Sequence, residues 1–76
     1  MKELLETLAK AIVDNPDDVK VTVVEGDTSV ILQLYVNPDD IGKVIGKQGR
    51  IVKALRSLIK AVAVKEGKKA MVEIID

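Results

Sequence analysis

The sequence predicts an α+β fold, a two-layer sandwich with elements in the order α-β-β-α-α-β. Three observations carry that reading. Apolar residues recur at helical spacing over residues 2–14 and 49–65. They alternate with polar ones over residues 19–23, 30–36 and 70–74, as in half-buried strands. A turn bounded by two glycines, residues 46–49, then separates a short apolar helix from a long amphipathic one.

In the first helix, Leu5, Leu8 and Ile12, joined by Leu4, Ala9 and Ala11, make one buried stripe, and Asp14-Asn15-Pro16 ends it. Val19, Val21 and Val23 form the first strand. Glu25-Gly26-Asp27-Thr28 is a tight turn, and Val30, Leu32, Leu34 and Val36 form the second strand of an antiparallel hairpin. Asn37-Pro38-Asp39-Asp40 starts a helix: Asn37 caps it, Pro38 suits the first helical position, and both aspartates sit at the positive end of its dipole. That helix is short and ends at Gly46.

Over the third helix, 100° per residue groups Ile51, Val52, Leu55, Leu58, Ile59 and Val62 on a core side, with Arg50, Lys53, Arg56, Ser57 and Lys60 opposite. Gly67 terminates it, and Ala70, Val72 and Ile74 alternate as the last strand. Strands joined by a helical crossover lie parallel, so the sheet should be mixed and three-stranded, with the second strand central and three helices on one face.

Seventy-six residues are enough for one small domain. Without cysteine or histidine there is no thiol chemistry, no usual general base and no usual zinc ligand. The sequence also lacks a catalytic serine motif, so it reads as a binding protein without cofactor or metal rather than an enzyme. Glu3, Glu6 and Lys10 interrupt the first helix, which argues against a signal peptide or membrane segment, and the lack of cysteine is what a cytoplasmic location leads one to expect. The formal net charge is zero, but residues 1–40 hold nine acidic and three basic side chains, whereas residues 41–76 hold nine basic and three acidic. Such segregation builds a one-sided anion-binding surface.

The residues best suited to that surface are Lys43, Gly46, Lys47, Gln48, Gly49, Arg50 and Lys53. Glycines let a backbone turn sharply and approach a ligand closely, and a helix start favours an anion. A P-loop would need four residues between its glycines and Ser or Thr after its lysine; Gly42 and Gly46 have three between them, and Gln48 follows Lys47. The dinucleotide fingerprint G-x-G-x-x-G is absent, and lysines exclude a membrane G-x-x-x-G pair.

The remaining pattern, Val44-Ile45-Gly46-Lys47-Gln48-Gly49 continued by Val52 and Leu55, resembles the KH-domain signature of two hydrophobic residues and G-x-x-G. The resemblance spans residues 1–76 as a single KH domain and points to the small single-domain bacterial KH proteins of the KhpA (YlqC) type. It implies the type II KH arrangement and a glycine loop that clamps about four nucleotides of single-stranded RNA, the bases lying in an adjacent groove. By this likeness the groove comprises residues 41–45, 46–49, 50–53 and 70–74. Val44, Ile45, Val52 and Ile41 are then floor or core residues, and Lys68 and Lys69 belong to the variable loop. It further implies an RNA chaperone or post-transcriptional regulator that forms a homodimer or pairs with a larger KH-domain protein.

Tyr35 is the sole aromatic residue, so base stacking on aromatics is excluded and little sequence selectivity is expected. The competing reading is a protein-interaction module without RNA binding. It rests on the outward sheet face, where Val24, Ile31, Tyr35, Met71 and Ile75 lie beside Lys20, Gln33 and Glu73.

Overall fold

The computed structural model describes residues 1–75. Helix α1 (Lys2–Ile12) leads through a 3₁₀ turn at Pro16–Asp18 into strands β1 (Lys20–Glu25) and β2 (Ser29–Tyr35). A second 3₁₀ turn, Pro38–Asp40, precedes α2 (Ile41–Ile45). A third, Lys47–Gly49, joins α2 to α3 (Arg50–Lys65), and β3 (Lys69–Ile75) completes the order.

The sheet has the expected order β1-β2-β3, antiparallel between β1 and β2 and parallel between β2 and β3. Alternation decides which residues face the helices. Val21 on β1, Val30, Leu32 and Leu34 on β2, and Ala70 and Val72 on β3 are buried against Leu5 and Ala9 of α1 and Leu55, Ile59 and Ala63 of α3. Leu5, Leu32, Leu34 and Ile59 are fully buried, each contributing about 1.5–3 kcal/mol by transfer from water. The core is aliphatic throughout, as the near absence of aromatic residues requires.

Three expectations are corrected. Helix α1 stops at Ile12, with Val13 extended, rather than running to residue 14. Within its apolar stripe, Leu4 and Ala11 face solvent. In α3, the helical angle groups Leu58 with the core, yet it is 50% exposed.

Asp40 departs most from expectation. It stands at the N-cap of α2 as expected, but it is buried, 1% exposed, and its carboxylate reaches across to the end of α1. Its Oδ1 accepts from the Asp14 N–H at 3.2 Å, and its Oδ2 accepts from the Asn15 N–H and Asn15 Nδ2, each at 3.0 Å. The chain leaving α1 is thereby tied to the segment that launches α2. Asn37 does cap as expected, its Oδ1 accepting from the Asp39 N–H at 2.9 Å.

Candidate nucleic-acid interface

The loop between α2 and α3 is held open by backbone conformation. Gly46 adopts φ 75° and ψ 174°, a region open essentially to glycine alone. Gln48 (φ 57°, ψ 23°) and Gly49 (φ 72°, ψ 18°) follow in the left-handed region. The Gly46 N–H closes α2 onto the Gly42 carbonyl at 2.9 Å, and the Gly49 N–H returns to the Gly46 carbonyl at 3.2 Å. The N–H groups of Lys47 and Gln48 have no hydrogen-bond partner among the described residues. They lie in an exposed turn directly before a helix, with Lys47 between them and solvent-exposed. Two free amides, a helix start and an exposed ammonium are the groups from which anion cradles are built.

The other predicted site residues divide by availability. Arg50 and Lys53 are exposed on the first turn of α3, and Arg50 Nη2 donates to Gln48 Oε1 at 3.2 Å, bracing the loop from outside. Ile45 is exposed beside the loop, the one apolar residue of the signature with substantial open surface. Val44 is wholly buried and Val52 nearly so, which fits the core alternative of the two expected for them. Lys43 is ion-paired with Asp14. That hydrogen bond raises its pKa above the ordinary value against desolvation, and the exposed pair links α2 to the end of α1. Asp40 lies in the same cluster. Burial alone would push its carboxyl up, but the donors from Asn15 and Asp14 and the charge of Lys43 outweigh burial and hold it below the ordinary 3.8.

Lys68 and Lys69 sit beyond the far end of α3, a helix of 16 residues and so about 24 Å long. They are not brought to the glycine loop. Lys68 pairs with Glu25 at 3.6 Å, and the Lys69 N–H donates to the Thr28 carbonyl at 2.9 Å. What connects the two ends is a row on α3 that spacing alone had marked only as a basic face: Lys53, Arg56 and Lys60. Arg56 and Lys60 line a cleft of about 300 Å³ with Met71, Val72 and Glu73 of β3. There Arg56 Nε donates to the Val72 carbonyl at 3.2 Å, so a guanidinium from the helix is seated on the edge strand. The sequence signal was the spacing of three basic residues three and four apart; their nearness to β3 was not encoded locally.

Among the described residues no group of three or more His, Cys, Asp or Glu side chains is placed to hold a metal ion, and no helix is long and apolar enough to cross a membrane.

Comparison with known proteins gives the arrangement a family. The family model described as "KhpA/KhpB, KH domain" matches residues 2–74. A Clostridium acetobutylicum protein named RNA-binding protein KhpA is 64% identical over 75 residues, which are 99% of this chain and 100% of the relative. The protein of the same name from Clostridium perfringens is 61% identical over the same shares, and that from Aquifex aeolicus is 47% identical over 100% of this chain and 96% of its own. These relatives are named for binding rather than for catalysis. No solved structure matches the chain. With a match that runs through the glycine loop and all six principal elements, the chain belongs to the KhpA/KhpB KH-domain family.

Proposed function

We propose that this protein binds single-stranded RNA, clamping the phosphate backbone at Gly46-Lys47-Gln48-Gly49 and running the strand along the basic side of α3. The observation that carries this reading is the pair of unpartnered amides at Lys47 and Gln48, set between positive-φ residues and flanked by exposed Arg50 and Lys53. The names of the relatives support it. Phosphate contacts position a strand without reading its sequence, so most of the affinity is electrostatic. The whole chain acts as one KH domain in the bacterial cytoplasm, as an RNA chaperone or post-transcriptional regulator.

The test is fluorescence anisotropy with a short unstructured RNA across a salt series. Weak binding that falls as salt rises, and that exceeds binding to duplex RNA of equal length, is expected. Equal or better binding to the duplex overturns the reading.

A second reading, compatible with the first, is self-association or docking to a larger KH-domain protein. Val24, Ile31 and Met71 lie in register across the outward face of the three strands. Met71 and Val64, the two most exposed large apolar side chains at 60% and 73%, both border a cavity of about 430 Å³ at the β3 edge. A patch continuous from β1 to α3 exceeds the isolated surface hydrophobes that need no partner.

A further inference from the structure

The proposed clamp at the glycine loop is indifferent to base identity, but the cleft beside Arg56 has the equipment to read one base. Arg56 is fixed at both ends: its backbone belongs to α3, and its Nε is spent on the Val72 carbonyl of β3. Neither Nη has a partner among the described residues, so the end of the guanidinium presents two parallel N–H groups with little freedom left to lose. An anchored fork of this kind matches two acceptors side by side. Glu73 lines the same cleft with Lys60 and offsets its charge, and the apolar atoms of Met71 and Val72 beside them suit the flat body of a base. The loop offers backbone amides to phosphate, whereas the cleft offers an anchored guanidinium fork to a base edge.

We infer that Arg56 is a specificity-determining residue that selects, at one nucleotide position, a base with two adjacent hydrogen-bond acceptors. Guanine offers O6 and N7, and cytosine offers O2 and N3; adenine and uracil have no such pair on either edge, donors alternating with acceptors. The inference rests on the RNA-binding reading above and deepens it: binding is sequence-indifferent everywhere except over Arg56.

The experiment uses the full chain and labelled eight-residue oligoadenylate RNAs carrying a single G, C or U at each position in turn. The parent protein should bind the oligonucleotides with G or C at one position about 5- to 100-fold more tightly than those with A or U there, the scale of one bidentate contact. The G and C arms show which acceptor pair fits the cleft. Arg56→Gln should remove the preference, and Arg56→Lys should also remove it while keeping charge and salt dependence. A parent that binds all the oligonucleotides equally overturns the inference and leaves the RNA-binding reading standing. So does an Arg56→Gln protein that weakens every sequence alike and lowers the salt slope by about one, the mark of a phosphate contact. A parent that binds none of them overturns both readings. Melting temperatures of the two variants within a few degrees of the parent keep loss of preference distinct from loss of fold.

Discussion

Ile51 closes over Gly46 so tightly that a Cβ added to the glycine would lie 2.6 Å from Ile51 Cγ1. The first glycine of the loop is therefore demanded twice, by its backbone angles and by the side chain packed on it. The second is demanded only once: Gly49 is left-handed, but an added Cβ would meet nothing nearer than 3.9 Å. Gly46→Ala should cost about 3 kcal/mol or more, from backbone strain and a clash that shifts α3. Gly49→Ala should cost about 1–2 kcal/mol, the left-handed penalty alone. Chemical denaturation of the two variants checks the order, and equal losses would show that Ile51 yields freely.

A different prediction concerns Asp40. Its folded carboxyl is held below the ordinary 3.8, so at mildly acidic pH the unfolded chain binds more protons than the folded one. Stability from this group is complete above about pH 5 and is lost as pH falls through 3.8 and on through the lower folded value. Asp40→Asn should lower the melting temperature at pH 7, since an amide presents its own N–H groups to the donors of Asp14 and Asn15. It should also flatten the decline between pH 5 and pH 3. Melting curves of parent and variant across that range test both parts; parallel curves would assign the acid sensitivity elsewhere.

How much of this was legible in the sequence varies with the distance over which each feature is decided. Val30, Leu32 and Leu34 declared a strand and its buried face because alternation is local, and the parallel β3 followed from the helical crossover. Asn37 announced its cap because donor and acceptor lie two residues apart. Asp40 looks identical to Asp39 in sequence, and only the fold, by bringing residues 14 and 15 to it from 26 and 25 positions away, makes one buried and leaves the other exposed. Leu58 differs for a related reason: the angle gives the side of the helix, while burial depends on which elements the fold packs over it. The glycine loop was readable as a motif, yet the pairing of Lys43 with Asp14 and of Lys68 with Glu25 was not, because both are tertiary contacts.

Assembly gives the next prediction. On the proposed clamp, a 76-residue chain with one loop should bind weakly, and a dimer with two loops would gain avidity without any new RNA contact. The apolar patch joining Met71 and Val64 is the surface to alter. Light scattering over a concentration series should show the parent approaching a dimer mass at high micromolar concentration. Met71→Glu combined with Val64→Glu should weaken association at least about tenfold, because charges replace apolar surface that a dimer would bury. Both positions are exposed, so the variant should stay folded. A parent that remains monomeric throughout removes homodimerisation, and an unchanged dimer in the variant moves the interface to the exposed Leu58 flank of α3.

The last prediction isolates the loop. Replacing Lys47 and Gln48 together with Asp removes one positive charge and adds two negative ones while both glycines remain. The turn should survive, because Asp is among the few non-glycine residues that tolerate the left-handed angles seen at Gln48. Both positions are exposed, and acidic residues before α3 suit its dipole, so stability should change by no more than about 0.5 kcal/mol. Binding to single-stranded RNA should nevertheless fall by about 100-fold or more, since like charges forced together cost several kcal/mol. Lys2→Ala with Lys10→Ala, in the acidic half of the chain and on α1, is the control and should leave affinity within about twofold, as expected for charges outside the phosphate track. Anisotropy and melting curves on the same preparations separate the effects. If the double Asp variant melts like the parent and still binds like it, the glycine loop is not the phosphate clamp, and the Lys53, Arg56 and Lys60 row becomes the site to mutate next.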